Sequence, residues 1–224
     1  EVTQGQYARV MGKNPSHFTA LGAGKGAVAN LDTSTNPVEM ASWNDSAEFC
    51  AMLSEQEKLR PCYSRAGETV TLSNGTGYRL PTEAEWEFAC RAGTTTNCWI
   101  GDKEEDLAQV AWCTTNSERR THPVGELKAN PLGLYDIHGN VWERVQDRWG
   151  VTYGQFQRNP TMDPHGPAAG SERVIRGGSF ENYPYYCRAS LRHAGRPAGH
   201  LFSVGFRVAL SVDAVKTAIA DRKT

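Results

Sequence analysis

Glycine and proline, 22 and 11 in number, are spread along the whole chain and leave few long periodic segments. Both residues interrupt regular structure, because glycine is conformationally free and proline lacks a backbone donor. The pattern therefore predicts a compact domain with short helices, short strands and much ordered loop. With 39 % apolar residues and six tryptophans among 224 residues, the chain can bury a sizeable core. It shows no internal repeat.

Two helices are predicted in the first quarter of the chain. Thr3 followed by Gln6 is a capping-box pattern, which predicts a short helix to about Met11. The run "WNDSAEFCAMLSEQEK" has apolar residues at helical spacing and predicts a second helix. Asn44 or Asp45 is expected to cap it, since both residue types are favoured at that position.

A third helix has the clearest signals at both ends. In "LPTEAEWEFACRAG", Thr82 and Glu85 form another capping box, and Gly93 is the expected stop. Its inward face is predicted to carry Trp86, Ala89 and Cys90.

Strands are predicted on both sides of this third helix. The stretch "CYSRAGETVTLSNGTGYRLP" has a strand–turn–strand pattern with Asn74-Gly75 as the turn. "RVIRGGSF" and "SVGFRVAL" are two further strand-like runs, and residues 94–132 are mostly loop. The tail of residues 211–224 is predicted to form a weakly amphipathic helix, which we expect to lie outside the domain proper.

The charge balance excludes some classes of partner. Lys and Arg total 24 and Asp and Glu total 25, so the net charge is −1, which gives no electrostatic reason to expect a nucleic acid or an anionic membrane. No apolar run approaches the roughly 18 residues that a membrane span needs. The sequence opens without a basic-then-apolar segment, so a secretory signal is either absent or already removed, and compartment and oligomeric state stay open.

Six cysteines, at positions 50, 62, 90, 98, 113 and 187, form no C-x-x-C pair. Three disulfides are possible, but a chain with this much core does not need them, and we expect mostly buried thiols. Cys187 lies in "GGSFENYPYYCRASLRH", where aromatic rings crowd around it. It is either a packed core thiol or a functional thiol, and Ser179 in the same stretch either bonds a ligand or closes the turn after Gly178.

The segment "GLYDIHGNVWER" places Asp136 and Glu143 in a glycine-containing loop. Calcium favours carboxylate and carbonyl oxygens at alternating positions in a tight loop, so Asp136, the carbonyls of Gly139 and Val141, and Glu143 could surround one ion. The alternative is a turn whose Asp and Asn side chains bond their own backbone.

Six blocks in this order resemble the sulfatase-modifying-factor family, that of the formylglycine-generating enzyme. They run from Glu1 to about Leu210: "EVTQGQY", "NPVEMASWNDSAEFC", "YRLPTEAEWEFACRAGTTT", "HPVGELKANPLGLYDIHGNVWER", "RVIRGGSF" and "VGFRVAL". The resemblance implies an α+β domain over residues 1–210 with a C-type lectin-like core and little regular secondary structure. It also implies a strand before Glu1 that the sequence lacks.

The resemblance strengthens the calcium interpretation and weakens the catalytic one. In the family, the residues matching Asp136, Gly139, Val141 and Glu143 bind calcium. Family enzymes oxidise a substrate cysteine, within C-x-P-x-R in sulfatases, by means of O2 and copper(I) held by two cysteines. Here the first of these positions is Asn182 and the second is Cys187. An Asn amide cannot replace a thiolate for a soft ion, so copper is not expected. Arg144 and Val145 also depart from the family, where Trp-Cys is common.

The same resemblance places a groove along residues 182–202. Tyr, Arg and His are enriched at recognition hot spots, and the segment is rich in them. The predicted ligand-binding residues are Asn182, Tyr183, Tyr185, Tyr186, His193, Arg196, His200 and Phe202. Some relatives are diversified by retroelements in this stretch. The sequence therefore favours a module that binds a protein, peptide or small molecule. The alternative is an oxidoreductase acting on sulfatases or on another substrate, with Cys187 and Ser179 as its catalytic candidates.

Overall fold

The computed structural model describes residues 1–150, 164–212 and 214–216. Its helices are α1 (Gln4–Met11), α2 (Trp43–Gln56), α3 (Glu83–Arg91) and α4 (Glu104–Leu107), with 3₁₀ turns at Lys25–Val28 and Pro184–Cys187. Its strands are β1 (Tyr63–Ala66), β2 (Thr69–Leu72), β3 (Ala111–Trp112), β4 (His138–Gly139), β5 (Trp142–Arg148), β6 (Arg173–Arg176), β7 (Arg192–Gly195) and β8 (Val204–Phe206). The predicted mixture of short helices, short strands and loop, an α+β fold, is confirmed.

The helix starts show where local signals suffice. Both predicted capping boxes, at Thr3 and Thr82, are present with their reciprocal hydrogen bonds. The cap predicted for α2 is wrong: the N-cap is Ser42, not Asn44 or Asp45. Ser42 has the extended backbone that a cap requires, and its side chain accepts from the Asp45 amide, while the Asp45 carboxylate reaches back to the Ser42 amide.

The predicted hairpin exists, but its turn was misplaced. Ala66 pairs with Thr69, so β1 and β2 are joined by Gly67 and Glu68 rather than by Asn74-Gly75. Gly67 takes the positive φ of 61° that this turn requires. Gly75 lies beyond β2, where an added Cβ would come within 2.1 Å of the Pro61 carbonyl oxygen. Close approach, not turn geometry, explains the glycine there.

The central sheet has the strand order β7-β6-β5-β8. β6 pairs antiparallel with both β5 and β7, while β8 lies parallel to β5. The two predicted strand runs, "RVIRGGSF" and "SVGFRVAL", supply β6 and β8. A second, two-stranded parallel pairing joins β3 to β4 and brings residues 111–112 beside the predicted calcium loop.

Two apolar clusters carry most of the packing. The first joins α1 and α2 to β8 around Tyr7, Trp43, Phe49 and Phe206. The second places the inward face of α3 against the sheet, with Trp86 and Cys90 buried as predicted and Ala89 only half-buried.

The C-terminal tail begins as a helix at residues 212 and 214–216, and Ala214 is buried. The rest of the predicted tail helix, like residues 151–163, lies outside the described residues. Within the described part, no helix is long and apolar enough to cross a membrane.

Candidate functional site

The turn after β6 organises the region around Cys187. Gly177 and Gly178 have φ values of 98° and 77°, which fold the chain sharply at the end of the strand. A Cβ on Gly178 would lie only 2.6 Å from the Cys187 Sγ atom, so glycine is required for this approach. Ser179 follows, with its hydroxyl 2.7 Å from the Asn182 Oδ1 atom. Its side chain therefore closes the local turn.

Cys187 has the surroundings of a core thiol. Its side chain is fully buried and packs in one cluster with Cys98 and Cys113. Burial raises the pKa of the Cys187 thiol well above its ordinary value, with the neighbouring Cys113 and Cys98 adding to the shift. A reactive thiol requires the opposite environment, one that stabilises the thiolate. All six cysteines are buried and free, as expected.

His138 connects this cluster to the predicted calcium loop, a role that no sequence pattern indicates. Its Nδ1 atom lies 2.6 Å from the Cys187 carbonyl oxygen and donates to it, while Nε2 accepts from the Trp99 amide at 3.4 Å. The Cys90 thiol lies 3.7 Å from Nε2. Burial lowers the pKa of His138 to about 4, so the ring is neutral at physiological pH. No spacing pattern identifies such a residue, because its partners are distant in the sequence.

The predicted calcium residues lie in and beside one tight turn. Asp136 and Asn140 have positive φ values of 52° and 55°, and Gly139 between them has 76°. Asp136 is 3 % exposed and Glu143 is fully buried. Burial raises the pKa of Asp136, and the nearby Glu143 carboxylate adds to the shift. The two carboxylates therefore belong to one buried electrostatic cluster.

Glu143 already has strong partners. Arg207 donates to both of its oxygens, at 2.5 Å from Nη2 to Oε1 and 2.6 Å from Nε to Oε2. Trp86 donates to Oε2 through its indole nitrogen at 2.5 Å. Asp136 accepts from the Gly125 amide at 2.7 Å through Oδ2. Neither set of bonds uses every lone pair, since a carboxylate has about four acceptor sites.

The carboxylate oxygens at this turn suit a hard cation, but they do not form a complete coordination shell. The carboxylates of Glu1, Asp136 and Glu143 share this cluster with two cationic groups, the Arg207 guanidinium and the Glu1 amino group, so negative charge is in local excess and the anionic groups all offer oxygens. Among the described residues, no three His, Cys, Asp or Glu side chains are grouped for a metal. An ion here would therefore depend on main-chain carbonyls of the loop as well as on Asp136 and Glu143.

The predicted ligand-binding residues lie mainly at the surface, in separate neighbourhoods. Tyr183, Tyr185 and Tyr186 are 69, 52 and 42 % exposed on the 3₁₀ turn beside α4. Phe202 is 40 % exposed and packs on Phe18 and Phe180.

The other predicted residues lie along the following chain. His193 is exposed on the edge strand β7, with its ring against Trp142. Arg196 and His200 are exposed on the following loop, and the His200 Nδ1 atom lies 2.8 Å from the Met40 carbonyl. Asn182 is half-buried through its bond with Ser179. Seven of the eight thus offer exposed side chains, and Asn182 does not.

Backbone hydrogen bonds at residues 180, 182 and 189 hold the segment that bears the three tyrosines. Phe180 donates its amide to the Asn140 carbonyl and accepts from the Ser117 hydroxyl. The carbonyl of Asn182 accepts from Thr114, and the amide of Ala189 donates to Asn97. Because these bonds do not involve the tyrosine side chains, the segment can be ordered while its rings face outward.

The β7-β6-β5-β8 sheet, the Gly177-Gly178 turn and the tight turn around Asp136 together define a class of α+β domain. Comparison with known proteins identifies this class. The chain belongs to the sulfatase-modifying factor enzyme 1-like domain family (FGE-sulfatase), which matches residues 1–212. It is 31 % identical over 201 residues to the formylglycine-generating enzyme of Streptomyces coelicolor, covering 83 % of this chain and 56 % of that protein. It is 35 % identical over 176 residues to the chaperone protein LppX of Paenibacillus barcinonensis, covering 64 % and 58 %. The chain thus spans somewhat more than half the length of these two relatives.

Among solved structures, Treponema denticola variable protein 1 is similar with a TM-score of 0.83 and 35 % identity, covering 94 % of this chain and 82 % of that one. These comparisons confirm the family and the fold predicted from the sequence. The C-type lectin-like core stays a prediction.

Proposed function

We propose that this chain is a binding module whose recognition surface is the segment from residue 181 to residue 202. One observation carries the proposal: three tyrosines, Tyr183, Tyr185 and Tyr186, are 42–69 % exposed on a segment fixed by backbone hydrogen bonds. Tyrosine offers a large contact area at low entropic cost, and it is enriched at binding hot spots. The Tyr185 and Tyr186 rings are in contact, and a contiguous exposed aromatic patch, unlike a single exposed ring, favours a partner that covers it.

Relatives support a binding role without naming its ligand. The relative of solved structure with 35 % identity is named a variable protein, and another relative is named a chaperone. Neither name describes oxidation of a substrate. The proposed ligand is a protein, a peptide or a small molecule that contacts the exposed aromatic rings.

The local chemistry opposes the redox alternative that the family name suggests. Copper(I) prefers two soft thiolates, and the position of the first is Asn182, whose amide is bonded to Ser179. Cys187 is buried with a raised pKa, which disfavours the thiolate. Incubation with copper(I) and a peptide bearing C-x-P-x-R, followed by mass spectrometry, is expected to yield no formylglycine. Formation of the aldehyde would overturn the binding-only assignment.

Calcium is the proposed structural ion of the module. Asp136 and Glu143, with the carbonyls of Gly139 and Val141, are the proposed ligands, and the excess of buried negative charge supports them. Bound there, calcium would neutralise this charge and tie the loop to β5. Titration calorimetry is expected to show one calcium per chain and at least about tenfold weaker binding in Asp136→Asn, because that variant lacks one charged ligand. Asp32→Asn, at an exposed carboxylate elsewhere, is the matched control. No calcium uptake by the wild type would refute the site.

The recognition surface is tested with an array of purified proteins, peptides and glycans, followed by biolayer interferometry on each ligand found. Tyr183→Ala and Tyr185→Ala are each expected to weaken binding at least about tenfold, the usual order for a hot-spot ring. Phe88→Ala is the matched control, because Phe88 is 76 % exposed on α3, outside the segment. Ligands bound equally by all variants would remove residues 181–202 as the recognition surface.

A further inference from the structure

Arg144 is a fully buried cation in the central sheet. It lies on β5, directly after Glu143, and its side chain is 0 % exposed. Its Nε atom donates to the Ala41 carbonyl at 2.9 Å, and Nη2 donates to the Gly199 carbonyl at 2.6 Å. The third nitrogen, Nη1, is buried and has no hydrogen-bond partner among the described residues. An unpaired donor on a buried guanidinium is costly, because the group has lost its hydration.

No described carboxylate forms an ion pair with Arg144. The acid that attracts it most is Asp45, which lies beyond ion-pair distance. The oxygens of Asp45 are used elsewhere: Oδ1 by Arg65 and Oδ2 by Ser42. Burial lowers the pKa of Arg144 to about 10, so the group stays charged at neutral pH. The buried positive charge therefore has only carbonyl partners.

The surroundings of Arg144 are favourable to an anion. Ala41, which accepts from Nε, directly precedes the N-cap Ser42 of the 14-residue helix α2, where the helix dipole is positive. On another side of the guanidinium lies Gly195, where an added Cβ would be 3.8 Å from Nη1. Because Gly195 has no side chain, it supplies no group that could pair with Nη1 from that side. Residues 196–200 form the loop after β7, and the Gly199 carbonyl that accepts from Nη2 belongs to it.

We propose that Arg144 supplies the cation of a binding site for a small monovalent anion, a carboxylate or a halide, beside Gly195 and the loop of residues 196–200. The anion accepts from Nη1 and balances the buried charge. Gly195 and Gly199 belong to the segment of residues 181–202, but Arg144 is buried and is not part of its exposed surface, so the site does not depend on the function proposed for that surface.

Acetate is the probe, because its methyl group reports binding by saturation-transfer NMR. In the wild type we expect saturation transfer to acetate, competed by chloride when total ionic strength is held constant with a bulky anion. Arg144→Met is expected to bind acetate at least about tenfold more weakly, since it loses a charge-assisted hydrogen bond. Arg173→Met is the matched control, because Arg173 also has a lowered pKa without a close carboxylate, yet leaves no buried nitrogen unpaired.

A wild-type measurement keeps the proposal testable if Arg144→Met fails to fold. The thermal midpoint of the wild type is expected to rise when the bulky anion is replaced by acetate or chloride at constant ionic strength. Two results would overturn the site: no saturation transfer and no anion-dependent midpoint in the wild type, or acetate binding that Arg144→Met and Arg173→Met retain equally.

Discussion

Replacing Gly178 with alanine tests how closely the turn after β6 packs on Cys187. The added Cβ would lie 2.6 Å from the Cys187 Sγ atom, 2.8 Å from its Cα atom and 2.9 Å from the Tyr186 carbonyl oxygen. A new side-chain rotamer relieves only the first contact, because the other two are to main chain. The φ of 77° adds backbone strain for any residue with a Cβ.

Substitution of Gly12 is the control that separates backbone strain from overpacking. It ends α1 with a φ of 71°, nearly that of Gly178, and an added Cβ would meet nothing within 4 Å. Gly12→Ala is therefore expected to cost about 1 kcal/mol of unfolding free energy, the left-handed penalty alone. Gly178→Ala is expected to cost about 3 kcal/mol, because overpacking adds roughly 1–3 kcal/mol to the same penalty.

Urea unfolding followed by tryptophan fluorescence measures both losses, and an unchanged slope shows that the midpoint shift reports stability. Cys187→Ala in the Gly178→Ala chain removes the sulfur contact but leaves the two main-chain contacts, so it should recover only part of the loss. Equal losses for Gly178→Ala and Gly12→Ala would refute the close packing of this turn.

Three further perturbations test the buried groups around the site. Arg207→Met leaves Glu143 buried without its guanidinium partner and is expected to lower the free energy of unfolding, measured in urea, by about 3–5 kcal/mol. Adding Glu143→Gln to the Arg207→Met chain should recover part of this loss. A loss below about 1 kcal/mol for Arg207→Met would contradict the ion pair. Burial lowers the pKa of His138 to about 4 from 6.5, so the unfolded chain binds the extra proton between these values, and stability should fall by up to about 3 kcal/mol as pH drops from about 6.5 to about 4. Burial raises the pKa of Glu39 from 4.5 to about 7, so this group lowers stability as pH rises between these values, opposite in sign to His138. The difference between the pH profiles of the wild type and His138→Gln isolates the histidine contribution, and parallel profiles would refute it. Iodoacetamide should label Cys187 only as fast as the chain opens, as followed by mass spectrometry; rapid labelling in the native state would contradict the core-thiol assignment.

Local signals predicted the parts of the fold that depend on neighbours in the sequence. The capping boxes at Thr3 and Thr82 involve residues three apart, and both are present. In "SWNDS" several residues of capping type follow one another, so the sequence did not show that Ser42 has the extended backbone of the cap. The hairpin turn was misplaced because Asn-Gly is a strong turn signal, whereas strand register decided in favour of Gly67-Glu68.

The site was predictable where it follows family motifs and not where it depends on distant contacts. The exposed tyrosines and the buried carboxylates lie in motifs that the sequence shows. The bond between His138 and the Cys187 carbonyl joins residues 49 positions apart, and the Arg144 contacts reach 55 and 103 positions away. No spacing rule covers such distances, because tertiary packing alone creates them. Arg144 was visible in the sequence only as a departure from the family pattern.

In residues 180–189, the groups that hold the segment in the fold are different from the side chains that it presents to solvent. Phe180, Cys187 and Ala189 face inward and are buried, while the side chains at 181, 183, 185 and 186 face solvent. Substitutions at the outward positions leave the anchoring hydrogen bonds intact, so they change the chemistry of the surface at little cost to folding. Such a segment is suited to laboratory randomisation: a library varied at those four positions should remain folded while its members differ in what they recognise.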